Sequence, residues 1–130
     1  MVEGRPVGET RVMDIDLFAG VPVSDLPRAI AWFDVFFGDV ETFLPNDSEK
    51  VWTLDEHRHV YVVLRPEDAG HGAVTLFVDD FDGFVQAVSA RGLEPESQET
   101  YENGVRKAIF RDPDGNEIGV GGPPRSGTDT

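Results

Sequence analysis

The 130-residue chain contains no cysteine. That excludes disulfides, a thiolate metal site and a cysteine nucleophile. Basic residues are scarce: 11 Lys and Arg stand against 25 Asp and Glu, for a formal net charge of −14. Such a surface repels phosphate backbones, so no nucleic acid partner is expected. Its acidic side chains keep the protein dispersed and can attract a cationic ligand. No apolar run approaches the length that crosses a bilayer, and the opening MVEGRPVGETRV lacks the apolar stretch of a secretory signal. The expectation is a cytoplasmic protein with no membrane partner. The glycine-bearing segment GHGAV lacks the lysine and following helix of a phosphate-binding loop.

What is present suffices for one domain. Hydrophobic residues make up 39% of the chain, with nine Phe and two Trp, enough to bury a core. Residues 1–11 are polar and carry Gly and Pro, and PPRSGTDT at 123–130 reads as a flexible tail. Between these ends the chain divides into two similar halves, about 12–66 and 72–122, of a single domain placed at 1–122.

Each half opens on a strand followed by a helix. In VSDLPRAIAWFDVFF (23–37) the apolar residues Leu26, Ala29, Ile30, Phe33 and Phe37 share one helix face. Ser24 or Asp25 can cap its start, Pro27 suits the first turn and Gly38 the stop. In VDDFDGFVQAVSARG (78–92) the face is Phe81, Phe84, Val85 and Val88, with an aspartate cap and Gly92 as the stop. The helices superpose at one offset: Asp25 on Asp80, Leu26 on Phe81, Ala29 on Phe84, Ile30 on Val85 and Phe33 on Val88, each pair 55 positions apart. MDIDLFAGVPV and AVTLFV precede the helices as strands. Val40–Leu44, Lys50–Leu54 and Val60–Leu64 follow the first helix; Glu94–Glu99, Val105–Arg111 and Glu117–Gly121 follow the second. The plan is an α+β fold of two βαβββ modules, each with a helix on one sheet face and the other face free to line a cavity. Asp112-Pro113-Asp114-Gly115 has the composition of a tight structural turn.

VPVSDLPRAIAWFDVFFG, FVDDFDGFVQAVSARGLE and FRDPDGNEIGV, in that order, resemble the two module openings and the closing hairpin of the vicinal oxygen chelate superfamily. This superfamily spans glyoxalases, extradiol dioxygenases, fosfomycin-resistance enzymes and bleomycin-binding resistance proteins. The likeness runs from about Asp14 to Gly121. It implies paired modules forming a cup, often completed by a second subunit, and therefore a homodimer. It also implies a divalent metal held by His, Glu or Gln on the first strand of each module and by a carboxylate on the last strand. Carried over one at a time, those positions fall on Phe18, Ala73 and Gly119, whose side chains cannot ligate a metal. The resemblance therefore reads as one with the metal ligands lost: no metal and no cofactor are expected.

Strand alternation indicates what else the cup presents, since positions two apart share a face. With Phe18, Ala73 and Gly119 facing in, Asp16, Gly20, Thr75, Phe77, Glu117 and Gly121 do so as well. Leu17, Ala19, Val21, Val74, Leu76, Val78, Ile118 and Val120 then face the helices. Trp52 and Tyr61 lie on strands whose phase the sequence leaves open, between cup and core. Trp32 and Phe36 lie off the main helix stripe and read as packing. His57 and His59, two apart in DEHRH, form a possible metal pair within a hairpin where exposed histidine is ordinary; His71 lies in the linker. Candidate ligand-binding residues are thus Asp16, Phe18, Trp52, Tyr61, Phe77 and Glu117. An aromatic pocket with a few carboxylates suits small hydrophobic, aromatic or cationic molecules. The function expected is metal-independent sequestration of such a compound, an antibiotic for example. The alternative is a lyase, isomerase or dioxygenase with a shifted metal site, or with Asp16 or Glu117 desolvated into a general base of raised pKa.

Overall fold

The two helix signals and six hairpin-strand signals take the places that periodicity assigns them, as a computed structural model describing residues 14–125 shows. Module one comprises β1 (Leu17–Val23), α1 (Leu26–Phe37), β2 (Glu41–Asn46), β3 (Glu49–Asp55) and β4 (Arg58–Leu64). Module two comprises β5 (Ala73–Phe77), α2 (Phe81–Ala90), β6 (Ser97–Thr100), β7 (Arg106–Arg111) and β8 (Glu117–Gly122). A short 3₁₀ turn at Pro66–Asp68 joins them. The sheets have the same order, β1-β4-β3-β2 and β5-β8-β7-β6, each with one parallel pair, β1 with β4 and β5 with β8.

Both helices start where their caps predict. Asp25 Oδ1 accepts from the Arg28 amide at 3.1 Å, and Asp80 Oδ1 from the Gly83 amide at 3.0 Å. The ends of the hairpin strands shift from expectation by up to three residues, β4 for example beginning at Arg58 rather than Val60. β6 begins at Ser97 rather than Glu94, because Pro95 has no N–H to give the ladder. β2 runs on to Asn46 through Pro45, which an edge strand tolerates, with an irregularity between Phe43 and Asn46.

The core lies between the helix-covered faces of the two sheets. Val21, Val23, Val60 and Val62 from sheet one and Ala108, Phe110, Ile118 and Val120 from sheet two belong to one buried cluster. Helix α1 is wedged between both halves. Its Phe33 meets Trp52 of β3, while Phe36 meets Phe84 of α2 and Phe110 of β7, with ring centroids 5.2–5.7 Å apart. Arg91 locks the junction by donating to the carbonyls of Val35 and Phe36 at the end of α1.

The closing turn is a second stitch. Asn116, fully buried, accepts from the Gly70 and Gly72 amides and donates to the carbonyl of Pro22 in β1 and to Asp112. Asp114 accepts from the Ser24 amide at 3.0 Å and from the Ser24 hydroxyl, at the start of α1. Gly115 supplies the left-handed angle, φ 90°. The described part of the expected tail is tied down: Arg106 donates to the Pro123 carbonyl, and Arg125 pairs with Asp82 at 3.1 Å. Residues 1–13 and 126–130, which include the polar opening and the rest of the tail, lie outside the described residues.

Candidate functional site

Burial alternates along the first strands as the pleat requires. Val21 and Val23 are buried while Phe18 and Gly20 are exposed; Val74 and Leu76 are half-buried while Ala73, Thr75 and Phe77 are exposed. Each sheet therefore presents an outer face opposite its helix, and the candidate residues divide between these two faces.

The outer face of sheet one carries Phe18, His59 and Tyr61. Register sets Phe18 beside His59, and their rings stack at 4.2 Å with 13° between planes. His59 Nδ1 lies 3.1 Å from Thr53 Oγ1, its cross-strand neighbour. Its Nε2 faces Asp16 Oδ2 at 3.5 Å, too far for a good hydrogen bond, and is buried without a hydrogen-bond partner among the described residues. Tyr61 lies across Gly20, where a Cβ would come within 2.6 Å of the phenol oxygen; only glycine leaves room for that ring. Phe18 and Tyr61, with Phe43, Pro45, Glu49 and Val51, line a shallow pocket of about 380 Å³.

Asp16 is half exposed at the rim and hydrogen-bonds His57 Nδ1 at 2.8 Å. That bond holds the Asp16 carboxyl below its usual range and raises the His57 imidazole. The expectation of Asp16 as a desolvated base of raised pKa is thereby corrected: the shift runs the other way. Two further readings change. Trp52 is fully buried on the helix side of β3, its indole N–H donating to Asp34 at 3.0 Å, so it belongs to the core and not to a ligand face. His59, expected to be an exposed hairpin residue, is 8% exposed, because β4 begins at Arg58 and Phe18 covers the ring.

The outer face of sheet two carries Phe77 and Glu117. Phe77 is 64% exposed, its ring against Gly121. Glu117 pairs in register with Ala73 and lies 3.9 Å from both Lys107 Nζ and Arg111 Nη2. A Cβ on Gly119 would meet Lys107 Cε at 3.1 Å and Thr75 Oγ1 at 3.2 Å, so the lysine stem and the hydroxyl occupy the space over this glycine. Sequence reasoning missed Phe43 and Lys107, and weighed His59 only as half of a metal pair with His57. The signal for Lys107 was available, because it alternates with Ala108 and Phe110 of the core.

Asp16, Phe18 and Tyr61 thus share one face, Phe77 and Glu117 the other, and Trp52 neither. A crevice of about 650 Å³ opens where β1 and β5 approach each other, and His59, Thr75 and Phe77 of the outer faces reach it. Leu17, Leu54, Val74, Leu76 and Phe84 line it. Leu17, expected to pack against a helix, faces this crevice and stays 63% exposed.

Residues 14–120 match the Glyoxalase/Bleomycin resistance protein/Dioxygenase superfamily. The chain belongs to that superfamily. A glyoxalase / bleomycin resistance protein from Catenulispora acidiphila DSM 44928 is 49% identical, with a TM-score of 0.81 over 85% of this chain and 100% of that one. TnmS3, an antibiotic binding protein from Streptomyces sp. CB03234, is 24% identical, with a TM-score of 0.65 over 88% and 99% of the two chains. A bleomycin-binding protein complexed with bleomycin is 15% identical, with a TM-score of 0.68 over 83% and 98%. At these identities the last two share the fold. No curated protein matches the sequence significantly.

The resemblance implies a divalent metal. Phe18, Ala73 and Gly119 offer no ligating side chain. Over Gly119 lies the stem of Lys107, which bears a positive charge of its own. Among the described residues no group of three or more His, Asp or Glu is arranged to hold a metal ion. At the positions that the resemblance assigns to metal ligands, the residues present do not fit a metal.

Proposed function

We propose that the protein is a metal-independent binder of small aromatic molecules that works as a homodimer. The observation that carries this reading is the exposure of large rings on the faces opposite the helices: Phe18 47%, Phe43 44% and Phe77 64%. Exposed rings on two sheet faces are costly in water and gain when a second sheet or a planar ligand covers them. In this reading a second copy closes a cleft over them. The neighbours of the same fold support a small-molecule role, since one is an antibiotic binding protein and another is complexed with bleomycin. The −14 net charge adds attraction for a cationic substituent.

Thermal-shift screening against planar aromatic and cationic natural products tests the proposal. Hits on the wild type that weaken in Phe18→Ala and in Phe77→Ala support it. A screen in which no planar aromatic raises the melting temperature contradicts it.

A further inference from the structure

Lys107 is one of the few cations of a strongly acidic chain, and β7 places it on the outer face of sheet two. It is neither a free surface lysine nor a firmly paired one. Its side chain is 25% exposed, its stem lies over Gly119, and its ion-pair partner among the described residues is Glu117 at 3.9 Å, beyond hydrogen-bond reach. Glu99, its cross-strand neighbour in register, makes no ion pair with it within 4.0 Å. Arg111 shares Glu117 but is already engaged by Glu96 at 3.1 Å and by the Gly115 carbonyl. Beside the Lys107 stem stands the Thr75 hydroxyl, and two residues along β5 is the exposed ring of Phe77. Ring, hydroxyl and ammonium converge on one strip, where Gly119 leaves room for the lysine stem and the Thr75 hydroxyl and Gly121 for the Phe77 ring.

We infer that Lys107 is the specificity-determining group of this face. It binds an acceptor oxygen, such as a carboxylate, phenolate or quinone oxygen, on a planar aromatic ligand seated against Phe77. Gly119 is the necessary partner: a carboxylate there would neutralise the ammonium, and its absence leaves that charge for the ligand. Lys107 thus provides fixed positive charge near a position where relatives are expected to hold a metal. This inference deepens the proposed function and rests on it.

Calorimetric titration with two matched probes tests it: 2-naphthoate, which has acceptor oxygens, and 2-naphthylmethylammonium, which has none. The expected result is that Lys107→Met and Gly119→Glu each weaken 2-naphthoate roughly tenfold or more, while Lys107→Arg retains most of the affinity. The ammonium probe should change less than about twofold in Lys107→Met. Melting temperatures of the variants establish that each is folded. If 2-naphthoate binds Lys107→Met as tightly as wild type, or both probes weaken together, the inference is overturned and the aromatic-binding reading stands. If neither probe binds the wild type, the inference falls, and the thermal-shift screen decides the aromatic-binding reading.

Discussion

At the scale of single residues, the ionisable pair at the rim makes a pH prediction with a definite sign. Asp16 is lowered from 3.8 and His57 raised from 6.5, each chiefly by their shared hydrogen bond. The Asp16 contribution is present above its unfolded value and is lost as pH falls through its lowered folded value. The His57 contribution is full below about 6.5 and is lost as pH rises through its raised folded value. The contact is therefore strongest between roughly pH 4 and 6.5. Imidazole resonances followed by NMR should show His57 titrating above 6.5 in the wild type and moving back toward it in Asp16→Asn. Buried Asn116 makes a different prediction. Asn116→Ala strands the Gly70 and Gly72 amides and the Pro22 carbonyl, and should cost about 2–4 kcal/mol in chemical denaturation. Both roles were only partly legible in the sequence. The turn composition announced a turn, yet nothing in DPDGN says that its asparagine reaches across to β1. Likewise, DEHRH shows two histidines but not that Phe18 would cover one of them, a contact between residues 41 positions apart in the chain.

At the scale of elements, the repeat was readable because both helices carry the same cap and core spacing, and physics gives those signals only one placement. What α1 packs against was less readable. Phe36 fell off the apolar stripe expected for a helix resting on one sheet, yet it is fully buried, because α1 is wedged between both modules and needs a wider apolar face. Phe36→Ala should therefore destabilise the protein by about 3–5 kcal/mol, more than loss of a residue on one module's side alone. The strands show a parallel lesson. Alternation placed Phe18, Thr75, Phe77 and Glu117 on the outer faces. It left Trp52 open because β3 has apolar residues on both faces, Val51 outward and Trp52 inward. Only the bond from the indole to Asp34 of α1 decides that case.

At the scale of the whole molecule, two ring-bearing faces, a shortage of cations and the lack of ligating side chains at Phe18, Ala73 and Gly119 support the proposed function, in which aromatic ligands are bound by stacking and by fixed charge without a metal. Homodimer formation should appear in light scattering as twice the 14.3 kDa chain mass, and Phe77→Glu should shift the population toward monomer. Attraction of cationic ligands by the acidic surface should weaken as salt rises from 50 to 500 mM, whereas stacking should not. The central claim is tested most directly by titrating a planar aromatic hit from the thermal-shift screen into protein dialysed against EDTA, with and without added Zn²⁺, Ni²⁺, Fe²⁺ or Mn²⁺. The account predicts the same affinity, within about twofold, in every case. Binding that appears only after one of these metals is restored would contradict it.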